Sequence, residues 1–285
     1  MRSRRDATID EPHATCTTRP RGASLTTAGL IGLVCALTLI AAFVRTEAQP
    51  VSGRLPEGAT RGFLVMRSSE NRTIAHGELL SRARGDRVDS RLSWRFRDGS
   101  IQDEATTYVQ RPVLQLLSYK QVQRGPSFPE DIEVSFSREP GRWDTRRREK
   151  GKEEAETQSG TIELPGDVYN GMTLTVLRNL PPGATATGHM LAFTPKPRLV
   201  KMSIRPTGED PVIVGDSRRA ATRYLVDLEV GGIAGIFAAV AGKEPPDLKY
   251  WLLNGDVPAF VKFEGSLFLN GPVWRIELAV PTWPK

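Results

Sequence analysis

The stretch Arg87-Val-Asp-Ser-Arg-Leu-Ser-Trp-Arg-Phe-Arg-Asp-Gly-Ser-Ile101 decides the fold. Val88, Ser90, Leu92, Trp94 and Phe96 fall on one side of an extended chain, and Asp89, Arg91, Ser93, Arg95 and Arg97 fall on the other. Side chains alternate across a strand, so a period of two describes an antiparallel sheet with one face in a core and one in water. Asp98-Gly99 supplies the positive φ of a tight hairpin, and Ile101 to Val109 returns alongside.

Outward from this hairpin the same alternation recurs at Ile132 to Ser137, Val200 to Arg205, Tyr224 to Val230 and Trp274 to Val280. Asn254-Gly255 marks a turn between Tyr250-Trp251-Leu252 and Phe260 to Phe263, and Asn270-Gly271 marks another before Trp274. About a dozen short strands separated by turns predict an all-β sandwich or barrel. There is no sequence repeat, no alternation of strand and helix, and no glycine-rich phosphate loop, so a parallel nucleotide-binding sheet is disfavoured.

Two segments read as helices. Asp167 is placed to cap one running to Asn179, with Val168, Met172, Val176 and Leu177 near one face and Pro181-Pro182 closing it. The other, Gly232 to Ala241, is almost wholly apolar and stops at Gly242 and Pro245-Pro246. Lacking a polar face, it is expected as a plug on the concave side of the sheet, with an acyl-chain lid or a second membrane contact as the alternatives. Trp94 and Trp274 belong on inward faces. Trp251 with Leu253 would make its strand apolar on both sides, and the apolar helix is the expected cover. The charge run Arg146 to Glu156 predicts a solvated hairpin with Lys150-Gly151-Lys152 at its tip.

The N-terminus sets the address. Ala23 to Val44 is uncharged, and Arg2, Arg4, Arg5, Arg19 and Arg21 precede it. As a helix these residues would extend about 33 Å, enough for a bilayer core, and the order of charged, apolar and small residues also suits a secretory signal. Both readings put residues 1–22 in the cytoplasm as a basic head and send the chain beyond the membrane. Residues 23–48 are thus an anchor or a signal cleaved near Ala48, 49–60 a Pro- and Gly-containing linker, and 61–285 an exported antiparallel β domain.

Both cysteines, Cys16 and Cys35, precede that domain, which therefore has no disulfide, thiolate metal site or cysteine nucleophile. Of the chain's 39 Lys and Arg and 33 Asp and Glu, residues 1–48 hold six Arg and four acids, leaving 33 against 29. So mild a balance does not argue for nucleic acid. His76 and His189 stand far apart in sequence, and no metalloprotease or serine-hydrolase motif surrounds them. Asp103 with Glu104 and Asp227 with Glu229 would form a glycosidase-type pair only through folding. No catalytic residue, metal ligand or cofactor is assigned.

The closing section, Ala221-Thr-Arg-Tyr-Leu-Val226, Pro246-Asp-Leu-Lys-Tyr-Trp251 and Val257-Pro-Ala-Phe-Val261, resembles a family of exported bacterial proteins of unknown function. The acid that family carries after its aromatic strand is replaced here by Leu252-Leu253. The resemblance implies a fold similar to the half-barrel of lipoprotein-localisation carriers, a curved sheet that wraps helices and holds lipid in its concavity.

The expectation is a mainly β chain: one large curved antiparallel sheet, a half-barrel or open barrel, with one or two short helices packed on or in it, after one N-terminal membrane or signal helix. The expected function is a non-enzymatic cell-envelope protein that binds or shields a lipid, a lipid-modified protein or another apolar ligand. Trp94, Phe96, Ile236, Phe237 and Trp274 are the expected lining. The alternative is a scaffolding envelope protein with a filled core. The sequence leaves ligand identity and oligomeric state open.

Overall fold

The structure, a computed structural model, describes residues 50–193, 197–229 and 247–279. Ala48–Lys285 forms a compact unit of its own. Among the described residues every strand pairing and both core clusters lie inside it, so it carries its own core. Its strands are β1 (Thr60–Arg67), β2 (Thr73–Arg84), β3 (Arg87–Phe96), β4 (Ile101–Val109), β5 (Gln115–Arg124), β6 (Glu130–Ser137), β7 (Arg142–Glu149), β8 (Glu156–Thr161), β9 (Ala186–Ala192), β10 (Arg198–Val214), β11 (Ser217–Glu229), β12 (Leu248–Leu253), β13 (Ala259–Gly265) and β14 (Trp274–Leu278).

All 14 form a single antiparallel sheet. β1 to β8 meander outward in one direction, β9 to β14 meander back, and β14 pairs with β1 in the middle of the sheet. The hairpin read from the sequence is present with its expected bounds: Trp94 pairs with Gln102, and Gly99 turns the chain at φ 86°. β7 and β8 form the expected charged hairpin, with Arg147 opposite Glu156. Among the described residues β8 is an edge strand, and its Glu-Thr-Gln-Ser-Gly-Thr sequence discourages pairing with another chain.

The break in the meander, between β8 and β9, holds helix α1 (Thr173–Asn179). This corrects the expected start at Asp167. The Asp167 carboxylate is engaged instead by Nδ1 of His189 at 2.9 Å, and Val168 makes a parallel bridge to His189 on β9. Gly171 then takes the left-handed φ of 69°, so helical backbone begins only after it. The second expected helix, Gly232 to Ala241, lies outside the described residues, as does the N-terminal apolar segment. Among the described residues no helix is long and apolar enough to cross a membrane.

α1 explains the curvature. One contiguous core cluster takes Val88, Tyr108 and Tyr119 from one arm of the sheet, Met202, Ile204 and Val226 from the other, and Val176 and Leu177 from the helix. β4 and β11 are seven strand steps apart, about 34 Å across a flat sheet at ~4.8 Å per step, whereas a helix is only ~10 Å wide. Both arms meet around so narrow an element only if the sheet curls. A second cluster packs Leu64, Met66, Trp94, Phe96, Trp274 and Ile276 near the β1–β14 junction.

Residues 50–59, expected as linker, precede β1 and are held on the body. The Val51 amide donates to the Tyr169 hydroxyl at 2.8 Å, the Leu55 amide to Oδ1 of Asn179 at 2.7 Å, and Nη1 of Arg178 to Oε1 of Glu57 at 2.6 Å. Trp251 faces away from the hollow, opposite in alternation to Tyr250 and Leu252. Its described cover is charged: Nε1 donates to Oδ2 of Asp210 at 2.6 Å, and Nζ of Lys262 stands 3.8 Å above the ring. Elsewhere the convex face carries cross-strand ion pairs such as Arg95 with Asp103 at 3.0 Å, each contributing about 0–1 kcal/mol.

Leu177→Ala is expected to lower the unfolding free energy by about 2–5 kcal/mol in urea titrations, because Leu177 is fully buried between the two arms. Ile213→Ala, at a side chain 70% exposed, should stay within about 0.5 kcal/mol of the parent.

Candidate functional site

Neither the helix nor the aromatic cluster fills the hollow. A cavity of about 940 Å³ remains on the concave face, and strands of both arms and one side of α1 contribute to its wall. The alternation read from β3 continues into it: Ser90, Leu92 and Trp94 line the cavity, while Arg91 and Arg95 bind Asp103 on the other face. Leu64, Leu79, Phe260, Phe263 and Ile276 supply much of the apolar wall. A cavity this large falls within the ~300–1,000 Å³ range of small-molecule pockets.

One band of the wall is polar. Trp94 of β3 pairs with Gln102 of β4, and Gln102 pairs with Gln123 of β5, so the three side chains form a row across the concave face. All three line the cavity and are nearly sealed from solvent, at 1%, 5% and 1% exposure. Nε1 of Trp94, Oε1 of Gln102 and Oε1 of Gln123 have no hydrogen-bond partner among the described residues. Each unmet group costs about 1–3 kcal/mol unless something in the cavity meets it.

A second polar row lies beside the first, where Glu104 of β4 pairs with Gln121 of β5. The Glu104 side chain opens onto the cavity and is enclosed by protein beyond it, and that desolvation pushes its carboxyl above the ordinary range despite a hydrogen bond from Tyr119. The same burial, with Glu104 beside it, raises the Tyr119 phenol well above its usual value, so it stays protonated. Tyr119 has one hydroxyl proton and two oxygen neighbours, Oε2 of Glu104 at 2.9 Å and Oε1 of Gln121 at 3.2 Å. Both contacts are satisfied together when Glu104 donates a proton of its own to the tyrosine oxygen.

The residues expected at the site divide into three groups. Trp94 is on the cavity wall, its ring lying against Gly77 of the neighbouring strand. Phe96 and Trp274 are buried but are not on that wall. They pack on each other with ring centroids 5.4 Å apart and on Phe128 at 5.3 and 6.4 Å. Ile236 and Phe237 lie outside the described residues.

Sequence reasoning missed Gln102, Gln123, Gln121 and Tyr119. The available signal was weak: Tyr119, Gln121 and Gln123 keep the period of two on β5, but a hydropathy pattern does not register glutamines facing inward. Asp103 and Glu104, adjacent in sequence, point to opposite faces, so they are not a catalytic pair. Asp227 and Glu229 are exposed, as expected. His189 is held to Asp167 on β9, where Val168 bridges to it, and His76 is exposed on β2.

No protein-family model matches this chain, and no curated protein matches its sequence. Among solved structures it is similar to a β-barrel-like protein of a domain of unknown function, DUF1849, from Brucella abortus. The TM-score is 0.40 at 9% identity, over 82% of this chain and 98% of that one. A likeness at that level transfers nothing to the site.

Glu104→Gln tests the buried carboxyl. A carboxyl whose folded-state value is raised stabilises the fold below its unfolded value and loses that contribution as pH rises through the folded value. The substitution should therefore raise the urea midpoint relative to the parent at neutral pH, with the advantage shrinking as the pH is lowered to 4.

Proposed function

We propose that this protein is a non-enzymatic cell-envelope component whose curved sheet binds or shields a ligand with a large apolar part, such as a lipid or the acyl group of a lipid-modified protein. The observation that carries this reading is the cavity of about 940 Å³, walled largely by Leu, Phe and Ile side chains on the concave face. Burial of hydrocarbon at ~25 cal/mol per Å² would drive binding, and no bond need be made or broken. The rival scaffolding role calls for a filled interior, and a hollow of this size favours the ligand reading over it.

The envelope address rests on the sequence: the Arg-rich head and the apolar residues 23–44 deliver the β domain beyond the membrane, tethered there or released by cleavage near Ala48. The likeness to lipoprotein-localisation carriers noted in the sequence is supported by a curved sheet closed around a short helix. It enters here as part of the proposal.

Titration of the unit Ala48–Lys285 with the apolar probe N-phenyl-1-naphthylamine should give a saturable, blue-shifted fluorescence signal with a Kd on the order of micromolar. Leu92→Trp, which adds bulk inside the cavity, should weaken it by about tenfold. A parent protein that binds no probe and purifies without lipid by mass spectrometry would count against the reading.

A further inference from the structure

The polar row narrows the class of ligand. The inference rests on the apolar-ligand reading and adds a head group to it. Trp94 Nε1–H is a donor, and the amides of Gln102 and Gln123 offer both donors and acceptors. They stand side by side in register across β3, β4 and β5, buried, facing the cavity and without partners among the described residues for Nε1 and the two Oε1 atoms. Buried polar atoms in native proteins are almost always hydrogen-bonded, so three orphans in one row on the wall of one cavity call for a polar group seated there. The rest of the wall, from Leu64, Leu79, Leu92 and Phe263, calls for hydrocarbon.

Charge selects among polar groups. The described cavity wall carries three cationic side chains, and each already has an acid: Arg61 with Glu78 at 2.6 Å, Arg147 with Glu130, and Arg178 with Glu57 at 2.6 Å. An anionic head would find no cation there without an acid beside it: Nε of Arg147 lacks a partner, but that guanidinium is already held by Glu130. A cationic head seated at the row would have Glu104 beside it, whose enclosure favours the neutral acid, and the wall's further carboxylates, Asp227 and Asp247, come from the other arm of the sheet. Amides, an indole N–H and a phenol suit hydroxyl or amide groups.

We propose that the cavity takes a neutral amphiphile, with a single hydrocarbon tail against the leucines and phenylalanines and a hydroxyl- or amide-bearing head hydrogen-bonded by Trp94, Gln102 and Gln123. Such a site discriminates because a ligand lacking the matching groups leaves the buried donors and acceptors unmet.

The test uses the unit Ala48–Lys285 and three amphiphiles of equal chain length: monolauroylglycerol, laurate and dodecyltrimethylammonium. Each competes against N-phenyl-1-naphthylamine at neutral pH, below its critical micelle concentration, and calorimetry with the same three compounds reads binding without the probe. Monolauroylglycerol should displace the probe at a concentration about tenfold lower than either charged compound. In Gln102→Met/Gln123→Met that ratio should fall to about threefold or less, and Trp94→Phe, which removes one donor, should lower it part of the way.

Equal displacement by all three, or tighter binding of laurate or of the ammonium compound, overturns the proposal, as does a preference that survives both variants. The parent's ranking alone decides if a variant fails to fold. A protein that binds the probe but ranks the heads equally refutes only this inference, whereas one that binds neither probe nor amphiphile refutes the apolar-ligand reading as well.

Discussion

The structure depends on a mismatch between a very wide sheet and a very short helix. Fourteen strands at ~4.8 Å each would span about 65 Å laid flat, with one face rich in Val, Leu, Tyr and Trp. No second layer of that size is present among the described residues. The sheet's recourse is to curl until its own arms meet, with α1 between them as the wedge on which Val88 and Tyr108 from one side and Met202 and Val226 from the other converge. Seven residues of helix fill only part of the space so enclosed. The aromatic cluster of Phe96, Phe128, Phe268 and Trp274 closes another part, and the remainder is the cavity. The hollow is thus a consequence of how this sheet satisfies its apolar face.

Within that hollow the polar rows run against the logic of burial. Replacing Gln102, Gln123 and Glu104 with aliphatic residues of similar size would remove the cost of desolvating them, and nothing in the strand geometry requires amides there. The buried asparagines are treated differently. Asn170 lies as deep, yet its amide donates to the Leu191 carbonyl and accepts from the Leu191 amide, and Asn179 is satisfied by Leu55 and Thr175. The satisfied asparagines pin the loops, whereas the glutamines that line the cavity have unmet oxygens among the described residues. Trp94 likewise lines the cavity with an unpartnered N–H, whereas Trp251 on the outer face gives its own to Asp210.

Much of the strand content was legible because those strands alternate apolar and polar residues. β3, β4, β6 and β14 stand close to where their patterns place them, and the turns at Asp98-Gly99, Asn254-Gly255 and Asn270-Gly271 lie between the expected partners. β5 was not legible for the same reason that it matters: its inward residues include Tyr119, Gln121 and Gln123, so its buried face looks polar. β1, β2 and β9 were obscured by mixed patterns interrupted by Gly62, Gly77 and Gly188. The start of α1 was read too early because Asp167 looks like a cap, and its engagement by His189, 22 positions away, carries no local signature.

By itself the sequence determined the class of structure, an antiparallel meander with one greasy face, because side-chain alternation and turn chemistry act between neighbours along the chain. Only the tertiary structure decided that β14 closes on β1, that the sheet curls around α1, and that an indole and two glutamines from three strands come into one row. Pairing between Leu64 and Leu278 spans more than two hundred residues, and cross-strand register is set by backbone hydrogen bonds that every residue type but proline can make. Where the partners are that distant and that generic, their meeting is a property of the folded chain as a whole.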